Sequence, residues 1–250
     1  MPKQRAQTAQ PSSPALDAPA LTDAQIYGRI IDAMLDQRLA PGTRLREDEL
    51  GQVFGVSRTR IRQVLIRLAG EQLVTLVPNA GARVADPTAQ DAQEVFAVRR
   101  LVEPAIVSAF IEGCSARELR ALERNIEQEE AARLADQRQA AIRLAGEFHL
   151  QIAAAAGNAT LERVLRELIV RTSLVLMRFG RADYGEPPRQ RGMLRACECR
   201  DHRALLRAIA RNDKAAAAKL MEEHLRRLQS QLEVADVPVP QPALAQLLNP

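Results

Sequence analysis

The stretch "LREDELGQVFGVSRTRIRQVLIRLAGEQLVTLVPNAGARV", residues 45–84, decides the fold of the N-terminal part of the chain. It contains two helical patterns joined by a turn at Gly55, and Ser57 is a good cap for the second helix. Two short β-prone runs follow, at residues 73–77 and 82–85, on either side of a "PNAG" turn that is typical of a hairpin. Two helices followed by a hairpin predict a winged helix-turn-helix.

The second helix of this stretch has an apolar face and a polar face. The apolar residues at spacings of three and four are Ile61, Val64, Leu65 and Leu68. The polar residues on the other side and its flanks are Arg58, Thr59, Arg60, Arg62, Gln63 and Arg67. Residues 44–85 contain seven Arg and four acidic residues, a net charge of +3. Such a face can donate hydrogen bonds to phosphates and to guanine edges in a major groove.

The segment resembles the N-terminal domain of the GntR family of bacterial transcription regulators, whose pattern is "VSRTPVREAL" followed by "EGLV" and a Gly-containing wing. The matching stretches here are "VSRTRIRQVL", "EQLV" and "PNAGARV". The resemblance implies that Arg58, Thr59 and Arg62 contact operator DNA, and that Gly81 lets the wing tip approach the minor groove. Arg46, Arg60 and Gln63 complete the predicted DNA-binding set.

Three residues depart from the family pattern. Arg60 replaces the usual Pro and adds a charge near the start of the recognition helix. Gln63 replaces Glu and removes a negative charge from the DNA-facing side, and because a Gln amide can pair with adenine we expect a shifted operator preference. Gln72 replaces a common Gly, which predicts a less strained turn into the wing.

Length and composition predict a mostly α-helical protein of two domains. The chain has 250 residues, of which 46% are hydrophobic and only 3% aromatic, so the core must be aliphatic. No apolar run approaches the ~20 residues of a membrane span, no signal peptide is recognisable, and three cysteines form no disulfide framework. These features predict a cytoplasmic protein with no membrane partner.

The domain organisation follows from changes in composition along the chain. Residues 1–20 and 236–250 are Pro-rich and non-periodic, as in flexible tails. Between them we predict a DNA-binding domain at 21–85, beginning with a helix from Thr22 to about Leu39, then a linker at 86–91 and an all-α bundle at 92–235. The helices predicted after the boundary cover about 88–112, 115–135, 138–156, 159–180, 190–211 and 213–234.

The second domain resembles the FadR-type C-terminal effector domain, also called FCD, a helical bundle that binds small organic acids or acyl derivatives. The resemblance is carried by "VFAVRRLVEP", "FHLQIAAAAGNATL", "DHRALLRAIARND" and "AAAAKLMEEHL". In the metal-binding branch of that family, one Asp and three His hold a divalent ion, and His149, His202 and His224 match the three His positions. The resemblance therefore implies a site for Zn²⁺, Ni²⁺ or Mn²⁺. Arg99 matches the family's "R..LE" pattern, and it either pairs with Glu103 or binds the effector's carboxylate.

The family's Asp is missing from this chain. Its position, one helical turn before the first His, is Ala145. Glu147 is a poor substitute because it is turned ~200° around the helix from Ala145. Cys199 lies three residues before His202, so it shares a face with that residue and could supply a thiolate, or else fill apolar space. The sequence favours instead a three-His site completed by water or a ligand carboxylate, or a weakened site that binds metal poorly.

Together these features predict a homodimeric transcriptional regulator, most simply a repressor, that binds double-stranded operator DNA and responds to a small organic acid. The sequence also allows a constitutive DNA-binding dimer with a degenerate metal site. A His-metal hydrolase is a further possibility, but the matching positions offer no clear general base, so the sequence favours a protein that is not an enzyme.

Overall fold

A computed structural model describes residues 21–78, 80–180 and 200–233. These residues form a helical protein with one small antiparallel sheet near the N-terminus. The fold class predicted from the sequence, a winged helix-turn-helix followed by a helical domain, is confirmed. None of the helices in the described ranges combines the length and apolar character needed to cross a membrane.

The head (residues 21–85) holds the winged helix-turn-helix. Its elements are α1 (Asp23–Leu35), β1 (Arg44–Leu45), α2 (Glu47–Phe54), α3 (Arg58–Gly70), β2 (Val74–Val77) and β3 (Gly81–Val84). The apolar stripe predicted on α3 is confirmed, since Ile61, Val64, Leu65 and Leu68 are all buried. Ser57 caps α3 by accepting a hydrogen bond from the N–H of Arg60. Gly55 ends α2 with a left-handed φ of 64°.

The first helix begins where the sequence predicts and ends earlier. Thr22 and Gln25 form a reciprocal capping box, in which each side chain accepts from the other's backbone N–H. The helix ends at Leu35, so the predicted end at about Leu39 is wrong. Gln37 takes a φ of 57°, and this left-handed residue turns the chain before Pro41 and Gly42.

The wing is a three-stranded sheet rather than a two-stranded hairpin. Its strand order is β1-β3-β2, and Leu45 of β1 pairs antiparallel with Ala82 of β3. The sequence analysis missed β1 because two residues are too few to show an alternating pattern. Asn79, in the predicted turn, lies outside the described residues.

The turn between α3 and the wing corrects another prediction. Gln72 has a φ of 58°, in the left-handed region where side chains other than Gly, Asn and Asp are strained. The replacement of the family's Gly therefore makes this turn more strained, not less. The following residue, Leu73, is fully buried in the head.

The helical domain is built from helices whose limits lie within a few residues of those predicted. They are α4 (Ala89–Gly113), α5 (Ala116–Leu134), α6 (Arg138–Ala155), α7 (Ala159–Phe179), α8 (200–210 in the described part) and α9 (Lys214–Ser230). The segment 190–199, predicted to belong to α8, is outside the described ranges. α4 begins at Ala89, within the segment 86–91 that the sequence assigned to the linker.

The head packs directly on the helical domain. α1 contacts α3 on the head side and α7 on the other. The hydroxyl of Ser173 on α7 donates to the backbone carbonyl of Met34 at 3.1 Å. Within the helical domain, α4 packs against α9 and α7, and α5 packs against α6.

Candidate metal cavity and DNA-reading face

Three helices bring the three histidines of the chain together. His149 lies on α6, His202 on α8 and His224 on α9, and all three side chains are buried. Each can offer a ring nitrogen, and these atoms lie within 4.8 Å of one another. We call these residues the histidine cluster. It realises the grouping that the sequence resemblance implied.

Each imidazole of the histidine cluster is held by a carboxylate through its Nδ1 atom. The pairs are His149 Nδ1 to Glu103 Oε2 at 2.5 Å, His202 Nδ1 to Glu129 Oε2 at 2.7 Å, and His224 Nδ1 to Asp201 Oδ2 at 3.2 Å. A donated Nδ1–H fixes the tautomer and leaves Nε2 as a lone-pair donor. Carboxylate partners of this kind orient histidine ligands around metal ions.

Burial keeps His149 and His224 neutral. It lowers the pKa of His149 to about 4, and it also lowers the pKa of His224. Burial acts to raise the pKa of Glu103, but Arg99 and His149 outweigh it and hold that pKa at about 2. Neutral imidazoles beside ionised carboxylates are the protonation states that a metal site requires.

One unpartnered atom tests whether a metal ion fits the cluster. His202 is 0% exposed, and its Nε2 atom is buried without a hydrogen-bond partner among the described residues. A buried nitrogen without a partner is costly, and a metal ion would satisfy it. An ion that binds three nitrogens at about 2.1 Å in tetrahedral geometry holds them ~3.4 Å apart, so each pair of nitrogens has to close by at most about 1.4 Å. The three residues therefore fit a divalent ion.

A buried ion pair supports the first histidine. Arg99 is 1% exposed, and its Nε atom donates to Glu103 Oε1 at 2.6 Å, while the other oxygen of Glu103 accepts from His149. Arg99 also donates to the hydroxyl of Thr172 at 3.3 Å. Of the two roles considered for Arg99, these contacts favour pairing with Glu103, although the side chain also borders the cavity.

The position of the missing Asp opens onto the cavity. Ala145 lines the same space as His149, one turn away on α6. Among the described residues, no carboxylate or thiolate joins the three histidines as a fourth ligand. Glu147 instead accepts from Arg143 at 2.9 Å. Cys199, considered as a replacement ligand, lies outside the described residues.

The cavity next to the histidine cluster has a volume of about 180 Å³ and a largely cationic rim. Arg133, Arg138 and Arg143 line it together with the three histidines, and Asp136 is an acidic residue in the lining. Cationic groups around a small space attract anions, and planar guanidinium groups suit carboxylates. The cavity can therefore hold a small anion beside a metal ion.

The polar face of α3 is exposed as the sequence predicts. Arg58, Thr59, Arg62 and Gln63 are all exposed. Arg58 is 68% exposed and lies 3.8 Å from Glu47, whose side chain is 18% exposed, so the ion pair is a loose one. The guanidinium of Arg62 has no ion-pair partner among the described residues. This face is free to meet DNA.

Three other predicted DNA-binding residues have contacts inside the head. Arg60 pairs with Asp23 at 2.7 Å and also donates to the carbonyl of Leu21 at 2.6 Å. Arg46 lies 3.3 Å from Glu49 and remains 56% exposed. Gly81 is buried with a φ of 89°, and a Cβ atom there would lie 2.2 Å from the Leu45 carbonyl oxygen. The backbone conformation and the close approach of Leu45 therefore require glycine at position 81, without any contact to DNA.

Sequence reasoning missed all three carboxylates as histidine partners, since Glu103 was predicted only as a possible partner of Arg99. Asp201 directly precedes His202, yet it binds His224. Glu129 is one of several acidic residues on α5, and only its burial at 0% exposure distinguishes it. No local pattern in the sequence marks either residue as a histidine partner.

Comparisons with known proteins agree with both halves of this geometry. The family described as "Bacterial regulatory proteins, gntR family" matches residues 22–84, and the FCD domain matches residues 94–227, more than half of the chain. The chain belongs to the GntR family. It is a DNA-binding transcriptional regulator with an FCD effector domain, as the sequence resemblance implied.

Individual relatives cover different shares of the chain. The HTH-type transcriptional repressor RspR of Escherichia coli (strain K12) is 24% identical over 204 residues, which are 82% of this chain and 86% of RspR. The "Uncharacterized HTH-type transcriptional regulator YdhC" of Bacillus subtilis (strain 168) is 30% identical over 117 residues. That match spans 47% of this chain and about half of YdhC, 52% of its length.

The solved structure of E. coli McbR/YncC has the same fold. It superposes with a TM-score of 0.71 at 20% identity, covering 82% of this chain and 93% of that one.

Proposed function

We propose that this GntR-family regulator is a repressor whose affinity for its operator is controlled by a small organic acid bound beside a metal ion in the helical domain. The observation that carries the proposal is the histidine cluster, with each Nδ1 held by a carboxylate and the cluster open to an arginine-lined cavity. We propose a regulatory rather than an enzymatic role for this site.

His149, His202 and His224 are the proposed ligands of a divalent ion, with Zn²⁺, Ni²⁺ and Mn²⁺ as candidates because imidazole suits all three. When bound, such an ion supplies a Lewis-acidic centre with open coordination positions for a carboxylate oxygen. Glu103, Glu129 and Asp201 orient the imidazoles. Ala145 leaves room on the cavity side, so the acid can take the space that a protein carboxylate fills in the metal-binding branch of the family.

The size and charge of the cavity support a small acid. Its volume, about 180 Å³, is below the several hundred Å³ typical of sites for drug-sized ligands. Arg138 and Arg143 border it and provide counter-charges for a carboxylate. Arg99 is a weaker candidate for binding the acid, since its side chain is only 1% exposed and its pair with Glu103 supports His149.

On the DNA side, the exposed residues Arg58, Thr59, Arg62 and Gln63 are the proposed operator contacts, with Arg46 at their edge. RspR is named as a transcriptional repressor, and this supports a repressor role for the present chain as well. We propose that the DNA-binding domain spans residues 21–85 and that the helical effector domain spans residues 92–235. Arg60 and Gly81 have structural roles in the head that are sufficient to explain them.

A homodimer is supported by an apolar stripe on α4. Leu101 is 77% exposed and Val98 is 38% exposed, and the exposed residues Ala97 and Ala105 extend the same helix face. An exposed apolar face of this kind suits a two-fold dimer, which would present two heads to a pseudo-palindromic operator.

The proposal is tested by selecting an operator from random DNA and measuring its affinity for the full chain with and without Zn²⁺ and a panel of small carboxylates. We expect at least one acid to weaken DNA binding in the zinc-loaded wild type and not in His149→Ala. Arg166→Ala is a matched control, because Arg166 lies on the exposed side of α7 and pairs with Glu162. Tight operator binding that responds to no acid and no metal would support the constitutive regulator instead.

A further inference from the structure

α1 connects the DNA-facing helix to the cavity. At its first residue, Asp23 accepts from Arg60 of α3, with the Nη2 atom 2.7 Å and the Nε atom 2.9 Å away. One residue past its end, Asp36 accepts from the Nη1 atom of Arg143 on α6 at 2.5 Å. The 13 residues of α1 span ~20 Å between these two ion pairs.

Arg143 is both a wall of the cavity and the anchor of the head. Besides Asp36, its Nη2 atom lies 3.4 Å from Asp32, and its Nε atom donates to Glu147 at 2.9 Å. The side chain is 31% exposed and borders the same cavity as His149. A ligand anion in the cavity can therefore reach the guanidinium that holds the end of α1.

The Arg143–Asp36 contact can be exchanged without leaving either charge unpaired. The second carboxylate oxygen of Asp36 already accepts from Arg38 at 3.1 Å. Next to this pair, Ser173 borders the cavity and donates to the carbonyl of Met34. The end of α1 is thus held to the helical domain by polar contacts of Arg143 with Asp36 and Asp32 and of Ser173 with Met34, and both Arg143 and Ser173 border the ligand space.

We propose that Arg143 is the anion-sensing residue of this regulator: a carboxylate in the cavity takes the place of Asp36 on Arg143, and the end of α1 is released from α6. The proposal rests on the proposed function, since it needs an acid in the cavity, and it adds the route by which that acid acts on the head. A ligand shifts the head only if it binds the released state better than the docked one, and the exchange of Asp36 for a ligand carboxylate supplies that difference.

The far end of α1 transmits the release to the recognition helix. Arg60 stands where the family pattern has Pro, and its bonds to Asp23 and to the Leu21 carbonyl tie the start of α3 to the start of α1. A second contact is the hydrogen bond from the Tyr27 hydroxyl on α1 to Glu71, one residue past the end of α3, at 2.5 Å. α1 and α3 therefore move together when α1 leaves α6.

The test is hydrogen–deuterium exchange of the full-length, zinc-loaded chain, read on peptides that cover residues 33–40, with succinate as the probe. For Arg143→Met without succinate we expect about fivefold faster exchange than in the wild type. Succinate should accelerate exchange to a similar degree in the wild type and add nothing in Arg143→Met. Arg143→Lys keeps the charge and should retain part of the response.

Arg203→Met is the matched control. Arg203 binds Glu130 across α8 and α5, with exposures of 37% and 30%, and among the described residues of the head none pairs with it. This variant should exchange and respond like the wild type. Unchanged exchange in Arg143→Met would overturn the proposal whatever succinate does.

The melting temperature distinguishes binding of the acid in the cavity from the sensing role of Arg143. If succinate raises the melting temperature of the wild type and leaves residues 33–40 protected, the acid site stands and the role of Arg143 is wrong. If succinate alters neither the melting temperature nor the exchange, both the acid site and the sensing role of Arg143 fail.

Discussion

The two polar regions of this regulator are built in opposite ways. On the DNA-reading face, Arg58, Arg62 and Gln63 come from one turn or two of a single helix, and all are exposed. In the histidine cluster, each imidazole comes from a different helix, is buried, and depends on a carboxylate from a distant part of the chain or from the neighbouring helix. We expect residues of the DNA-reading face to act independently of one another. In the histidine cluster, the loss of one residue should impair the function of the others.

The largest expected effect would break the buried network at its base. Arg99→Met should lower the free energy of unfolding by about 3 to 5 kcal/mol, because it leaves the buried carboxylate of Glu103 without its cation. Arg166→Met removes a pair of the same i,i+4 spacing from the exposed surface and should cost less than about 0.5 kcal/mol. Urea denaturation of both variants measures the contrast. Equal effects would contradict the distinction between the two regions.

A smaller effect is expected when the three histidines are kept and the carboxylate that orients one of them is replaced. Glu129→Gln should weaken zinc binding about 10- to 100-fold, since the amide cannot hold the imidazole of His202 as the ionised carboxylate does. Titration of the apo-protein against a competing chelator gives the affinity. Glu130→Gln changes the adjacent residue, which pairs with Arg203 instead, and should leave the zinc affinity as it is. A zinc affinity unaltered by Glu129→Gln would mean that the carboxylate does not orient His202.

On the DNA-reading face, we expect a substitution to reduce only the specificity of DNA binding. Arg62→Ala should cost about 1 to 3 kcal/mol of discrimination between operator and random DNA, with folding and metal binding unaffected. Fluorescence anisotropy with both DNA types measures it. An unchanged specificity ratio would show that Arg62 contacts only the phosphate backbone, in which case a reduced salt dependence of binding would remain.

The smallest expected effect is a gain in stability outside both regions. Gln72→Gly should stabilise the head by about 1 kcal/mol, because glycine adopts the left-handed φ of 58° without strain. Thermal unfolding followed by circular dichroism detects the shift. A loss of stability would indicate that the Gln72 side chain makes contacts that outweigh the backbone strain.

The same contrast explains what could be predicted from the sequence. The recognition helix and its exposed face followed from periodicity and a cap at Ser57, which are local signals. The grouping of His149, His202 and His224 came only through resemblance to a family, since no local pattern joins residues on separate helices. Glu129 and Asp201 could not be identified as histidine partners in either way, because their role depends on how α5, α8 and α9 pack.

Two backbone features, the end of α1 and the strand β1, could not be predicted because they too lack a local sequence signal. The end of α1 at Leu35 depends on a left-handed Gln37, and glutamine carries no sequence signal for that conformation. The two-residue strand β1 forms only because β3 offers it a partner at Ala82.

Zinc titration of the purified full-length chain tests the central claim, that the three histidines form one metal site. We predict one zinc ion per chain for the wild type, and affinity lowered at least about 100-fold in each of His149→Ala, His202→Ala and His224→Ala, whereas Arg166→Ala binds like the wild type. A wild-type chain that binds no zinc, nickel or manganese, or that loses nothing when any one histidine is replaced, would contradict the account.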